Sequence, residues 1–364
     1  MNEISKARIK FFGLFLAVAC VISLLVYFFA VVPGQPAEPE APAQPETPPE
    51  PPKPVYVYRV PSTSPTFGTP FHYETAVDGN LANLPLSKGA SSGFFVDLDT
   101  RNVLWMKTPR RSVPVASMVK MMTLLLAFEG MEKDHTITLD TPIQITSCVT
   151  QVGKSGIIWL DPREQLLLKD LLMAVTIKSA NDAAQQVAEV FGHGSVPDFV
   201  ARMNDRAIAL GMPGTMFVNP NGLKSKQNGN SLSSAEGMVI LGERLLEYPP
   251  VMEWASTQQA FIQRPFLKQG KTELTNTNKL ILPHYPGVDG LKTGYTRDAG
   301  SCLTFTALRN GRRLMGCVTG FGSSRDRDNF VRKLIDWGYG RTAEIDAGKV
   351  TPPAAGPVTS SRQR

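Results

Sequence analysis

Residues 115–128 form a stretch that a surface helix cannot accommodate. Met118, Val119, Met121, Met122, Leu124, Leu125, Leu126 and Phe128 are distributed around the whole helical wheel, and a helix apolar on all sides must be enclosed by protein. Pro114 suits a helix start. The polar members are Ser117, Lys120 and Thr123, spaced i, i+3, i+6, so they fall on one narrow stripe. A lysine one turn inside such a helix is costly unless it is paired or neutral. Desolvation and a neighbouring cation both lower a lysine pKa. A neutral amine one turn from a serine hydroxyl can take its proton. The plainer alternative is a helix end with a capping serine and a lysine snorkelling to water.

Two further polar triplets bear on that choice. Ser179-Ala180-Asn181 is the only Ser-x-Asn in the chain. It follows an amphipathic helix pattern over residues 167–178 and precedes a second helix pattern over 182–189. As a simple corner it would supply capping residues. Lys-Ser/Thr-Gly occurs twice. Lys154-Ser155-Gly156 lies in a polar, glycine-rich stretch that reads as a loop. Lys292-Thr293-Gly294 precedes a hairpin pattern, residues 302–308 and 313–319 joined through Asn310-Gly311, a strong turn signal. A strand edge there can hold an acyl substrate by backbone hydrogen bonds, so Lys292 is preferred and Lys154 is set aside.

Taken in order, Ser117-x-x-Lys120, Ser179-x-Asn181 and Lys292-Thr293-Gly294 make up the active-site set of penicillin-binding proteins and class A β-lactamases. From about Ser92 to about Arg341 the chain resembles the low-molecular-weight penicillin-binding proteins, the serine-type D-alanyl-D-alanine carboxypeptidases of peptidase family S11. The likeness also rests on Lys178 to Ala184, Phe199 to Asp205, Leu210-Gly-Met212, Phe217 to Leu223, Asn276-Thr-Asn278, Pro286 to Thr296 and Asp336-Trp-Gly-Tyr339.

This resemblance implies an α+β, β-lactamase/transpeptidase-like fold: an antiparallel sheet flanked by helices, beside an all-α lobe, with the site between. It implies Ser117 as nucleophile, Lys120 as proton acceptor and Ser179 as proton relay. Asn181 would orient Lys120 and bind the substrate backbone. Lys292 would disfavour a charged Lys120 and attract a terminal carboxylate, with Thr293 and Gly294 of the same motif at the substrate. The backbone N–H groups of Ser117 and Tyr295 would form the oxyanion hole. Relatives often add an arginine on the final helix, where Arg327 is the best-placed match and Arg325 the alternative. The implied substrate is a peptidoglycan pentapeptide ending in D-Ala-D-Ala, trimmed through an acyl-enzyme, with β-lactams as inhibitors and no cofactor. A DD-endopeptidase is the alternative. A β-lactamase fits less well, since no Glu-x-x-Leu-Asn lies between Asn181 and Lys292 and the middle residue of the second motif is not Asp. A silent wall-binding protein is disfavoured by the intact Ser117, Lys120 and Lys292.

The remaining sequence bounds the rest. The chain has 364 residues and net charge +6. Several of the basic residues lie near the termini, with no aromatic-interleaved basic patch, so nucleic acid is not an expected partner. Residues 1–10 are expected as a basic cytoplasmic segment. Residues 11–32 are an apolar run long enough to cross a bilayer, read as an uncleaved signal anchor with the domain outside the inner membrane. Residues 33–72 are expected as a Pro-rich linker, 73–342 as the catalytic domain and 343–364 as a tail. Relatives often carry a second β-rich domain and a C-terminal amphipathic anchor. Room for neither is expected here, which moves attachment to the N-terminus. The four histidines are dispersed without metal-ligand spacing. Cys302 and Cys317 share one face of the hairpin diagonally and read as buried small hydrophobes rather than a disulfide. Strands are expected before Ser117 and after about Gln259, with helices between and a capping box at Ser233 to Glu236. A last helix is expected over residues 326–337.

Overall fold

Asn310 and Gly311 both adopt positive φ, +50° and +80°, as a two-residue hairpin loop requires. Around that turn the strands run longer than their hydrophobic pattern, as β11 (Gly300–Arg309) and β12 (Arg312–Phe321). The computed structural model describes residues 17–27, 58–281 and 283–350. β11 and β12 sit in a six-stranded sheet ordered β1-β3-β2-β12-β11-β10, with β1 (Val77–Asp78), β2 (Ser92–Asp97), β3 (Val103–Lys107) and β10 (Val288–Thr296). Pairing is antiparallel except between β1 and β3. The expected α+β fold is therefore present, and β10, which carries Lys292-Thr293-Gly294, is its edge strand.

Period-two alternation splits the core in two. Phe94, Val96, Cys302, Met315 and Cys317 face the helical lobe. Phe95, Leu303, Phe305, Leu314 and Val318 face the final helix, α8 (Ser324–Asp346), through Phe330, Val331, Leu334 and Ile335. Cys302 and Cys317 are buried free thiols.

The lobe is built from α2 (Lys120–Lys133), α3 (Leu168–Met173), α4 (Asn181–Phe191), α5 (Val196–Ala209), α6 (Ala235–Leu245) and α7 (Pro249–Ser256). An earlier helix, α1, spans residues 17–27 with exposed side chains, in a separate unit of the chain. Three short pairs decorate the lobe. They are β4 (Val113–Pro114) with β7 (Leu232–Ser233), β5 (Pro142–Gln144) with β6 (Gln165–Leu167), and β8 (Gln259–Gln263) with β9 (Lys271–Thr275).

Local details correct the sequence expectations. The helix expected from Pro114 begins instead as a 3-10 turn, Ala116–Val119, and only Lys120 opens α2. The cap of α6 is Ser234, whose hydroxyl accepts from Gly237 N, while Glu236 pairs with Arg110. The final helix runs to Asp346, past the expected boundary at 342, because Thr342 is buried, Ile345 packs on the sheet cluster and Asp346 pairs with Arg312.

The N-terminal boundary also moves. Residues 58–72, expected as linker, pack on the folded unit. Tyr58 is buried against Phe128, 5.9 Å between ring centroids. Arg59 pairs with Glu247, Val60 N donates to Glu247 O, and His72 bridges Asn102. Half of the expected span 11–32 lies outside the described residues, as do all of the segment 1–10, residues 33–57 and the tail from 351. Among the described residues no helix is long and apolar enough to cross a membrane.

A chain starting at residue 55 should therefore be more stable than one starting at 73. Loss of the Tyr58 side chain alone should cost about 3 kcal/mol, the scale of an aromatic core truncation. Chemical denaturation of the two truncations checks this; equal midpoints would return residues 58–72 to the linker.

Candidate active site

Ala116 carries φ +47°, an unfavourable left-handed conformation for a residue with a Cβ, directly before Ser117. The kink ends β4 and starts the 3-10 turn, leaving Ser117 partly exposed at the floor of a cleft of about 580 Å³. Two glycines let other chain segments close on this turn. A Cβ on Gly294 would lie 2.6 Å from Val115 O, so only glycine lets β10 press against the turn. A Cβ on Gly222, itself at φ +82°, would lie 2.0 Å from Ala116 O. The Asn219-to-Gly222 loop thus packs directly on the backbone of Ser117.

Lys120, one turn on, is wholly buried. Its Nζ lies 3.0 Å from Ser117 Oγ, 2.6 Å from Asn181 Oδ1 and 2.5 Å from Asn221 O. The last two are acceptors only. As an ammonium, Lys120 can donate to all three; once neutral, with two N–H donors and one lone pair, it keeps its donors on Asn181 and Asn221 and turns the lone pair to the serine hydroxyl. Burial, then the charge of Lys292, pushes the Lys120 pKa well down; Asp182 opposes both. The expected stripe holds to its third member, since Thr123 Oγ1 donates to Pro220 O.

Asn181 opens α4, and its Nδ2 donates to Ser155 O at 2.7 Å while its backbone N donates to Gly156 O. Ahead of it, α3 widens into a π-helical turn, Ala174–Lys178, that ends at Ser179 in a left-handed conformation, φ +61°. Such turns recur at functional sites. Here it brings Ser179 into the cleft wall, with no hydrogen bond from its hydroxyl to Lys120 among those described.

Lys292 is buried, and its Nζ makes one long bond, 3.4 Å to Thr293 O. Burial and the nearby Arg327 push its pKa down to about 7. Thr293 Oγ1 meets Thr277 Oγ1 at 2.7 Å. Arg327 is buried on the first turn of α8, holding Asp328 Oδ1 and Cys302 O while lining the cleft. Arg325 is exposed and outside the cleft lining. Ser117, Ser179, Asn181, Thr293, Gly294, Tyr295 and Arg327 all line one cavity. Lys154 is exposed outside it, yet its neighbours Ser155 and Gly156 line the same wall. The motifs miss Asn221 and Asp182. Asn221 acts through a backbone carbonyl, and its only sequence signal is the turn-rich Asn219-Pro-Asn-Gly222. Among the described residues no His, Cys, Asp or Glu cluster could hold a metal ion.

The comparisons agree with this architecture. Residues 81–322 match the family model for D-alanyl-D-alanine carboxypeptidase, Peptidase S11. D-alanyl-D-alanine carboxypeptidase DacF of Bacillus subtilis is 35% identical over 70% of this chain and 63% of its own length. A D-alanyl-D-alanine endopeptidase of Pseudomonas aeruginosa is 30% identical over 63% of this chain and 71% of its own. Penicillin-binding protein D2 from Listeria monocytogenes, solved with ampicillin bound, superposes with TM-score 0.60 at 27% identity, over 69% of this chain and 97% of that one. The chain belongs to the S11 family. It spans a little under two thirds of the length of the first curated relatives it matches, 63% and 62%.

The proximity of the two buried lysines has a measurable sign. Lys292→Met removes the second cause depressing Lys120, so the Lys120 pKa should rise. The 13Cε resonance of Lys120, followed by NMR titration, should shift its midpoint to higher pH in the variant. An unmoved midpoint would show that Lys292 exerts no field at Lys120.

Proposed function

We propose that this member of the S11 family is a serine DD-carboxypeptidase that removes the terminal D-alanine from peptidoglycan pentapeptides. The observation that carries this reading is that Lys120 Nζ lies 3.0 Å from Ser117 Oγ while its two other partners are acceptors only, so that on losing its proton the amine turns its lone pair to the hydroxyl. Ser117 Oγ attacks the penultimate carbonyl carbon as its proton passes to Lys120. The N–H groups of Ser117 and Tyr295 hold the resulting oxyanion. The tetrahedral intermediate collapses by breaking the peptide C–N bond, and the leaving amine takes a proton from Lys120 by way of Ser179. Water then attacks the acyl-enzyme and restores the Ser117 hydroxyl.

Lys292, Thr293 and Arg327 serve the terminal carboxylate. Arg327 is paired with Asp328, and a bound carboxylate would favour the protonated form of Lys292. The second hydrogen on Asn181 Nδ2 serves the substrate backbone, and Gly294 lets the strand edge approach. β-Lactams acylate Ser117 as stand-ins for the terminal dipeptide. The apolar residues 11–32, part of which forms α1, anchor the chain in the inner membrane, with the domain on the outer side beyond the Pro-rich spacer. Cleavage of cross-links is a second reading, favoured by the likeness to the Pseudomonas endopeptidase.

Fluorescent penicillin should leave a long-lived adduct on wild type and none on Ser117→Ala, read by gel fluorescence and intact-protein mass spectrometry. D-Alanine release from pentapeptide should fall by at least about a thousandfold in the same variant, the scale of losing a covalent catalyst. An adduct on Ser179, or rapid turnover of the penicillin, would overturn the assignment.

A further inference from the structure

Trp159 stands outward from the protein, 64% exposed, in a left-handed backbone conformation at φ +59°. A bulky residue in that region is a strained outlier, so something must hold it there. Two buried charges do so. The Asp182 carboxylate accepts from Ile158 N at 3.1 Å and Leu160 N at 3.0 Å. From the other side the fully buried Arg264 donates to Ile158 O at 2.6 Å and Trp159 O at 2.8 Å, while pairing with buried Glu164. Backbone donors and acceptors of one short loop are thus fastened to α4 and to the residue that follows β8. This fixation leaves most of the indole facing solvent.

The indole forms one wall of a groove of about 460 Å³ between this loop and the β8–β9 hairpin. Phe261 lies across the groove, 47% exposed, with Lys271 Nζ 4.7 Å from its ring centroid. Lys178 lines both this groove and the active-site cleft. It sits beside Ser179, so the two cavities adjoin at the reacting residues. Glu273 also lines the groove, with its carboxylate held by Thr275 and Gln259 and lowered in pKa by those bonds, then by Lys178 and Lys271. Among the described residues Lys178 closes no ion pair.

We infer that this groove is a subsite for the stem peptide beyond its two terminal residues, seating an apolar surface on Trp159 and Phe261 and a carboxylate on Lys178. The inference rests on the carboxypeptidase reading and deepens it. Two exposed rings supply apolar area at low entropic cost. Two lysines against one glutamate favour a peptide that carries free carboxylate along its length. Continuity with the cleft makes the occupant the same molecule whose end reacts at Ser117. The enzyme would then distinguish long stems from short terminal fragments.

The test compares kcat/KM for a tripeptide ending in D-Ala-D-Ala with that for a pentapeptide sharing its last three residues, and for the same pentapeptide linked to its disaccharide. Trp159→Ala should lose roughly tenfold on both pentapeptides, the scale of one buried aromatic contact, and stay within about twofold on the tripeptide. Trp159→Phe should recover most of the loss, and Phe261→Ala should repeat the selective loss. Penicillin labelling should be unchanged in all three variants. Equal losses on long and short substrates, no loss, or a loss confined to the disaccharide-linked substrate would each overturn the inference. Absence of penicillin labelling in wild type would instead remove the carboxypeptidase reading on which it rests.

Discussion

A primary amine enclosed in apolar protein is the constraint that organises this molecule. Lys120 can stay buried only by shedding its proton or by finding acceptors, and the fold arranges for both. Asn181 Oδ1 and Asn221 O accept from its Nζ, and Lys292 makes the charged form still less favourable. To bring those three partners to one point, α4, the Asn219-to-Gly222 loop and the edge strand β10 must all converge on the start of α2. Much of the topology follows from that meeting. An edge strand is needed because a ligand must reach it, and glycine at 294 and 222 is needed because side chains there would hold the segments apart.

Strain marks the same region. Ala116 and Ser179, both with side chains, take left-handed conformations on either side of the cleft, and a π-helical turn leads into the second. Each is unfavourable in isolation. Each changes the direction of the chain within one residue, so that Ser117 and Ser179 leave their parent elements facing the cleft. The rigid core behind them, with Phe94 and Val96 on one side of β2 and Phe95 on the other, supplies the surrounding order that such local cost requires.

Local chemistry made a good part of this legible in the residues themselves. The Asn310-Gly311 turn, the all-round apolar helix and the Ser117–Lys120–Thr123 stripe each follow from steric or periodic rules that operate within a dozen residues. Contacts between segments farther apart in the chain do not. The carbonyl of Asn221 and the clamp of Asp182 on Ile158 and Leu160 depend on tertiary approach, and a backbone carbonyl leaves no trace in residue type. The loop around Lys154 reads as the lesser of two candidate triplets, yet its neighbours Ser155 and Gly156 reach Asn181 through backbone oxygens. Composition misplaced the start of the folded part, because Pro and Ser in residues 61–65 resemble spacer although Tyr58 before them is buried.

That first buried ring also decides how force would travel. The chain enters its folded unit where Tyr58 meets Phe128, eight residues into α2 from Lys120 and therefore about 12 Å along the axis from it. A pull or a bulky fusion at the amino end would load a stiff helical rod from its distal side.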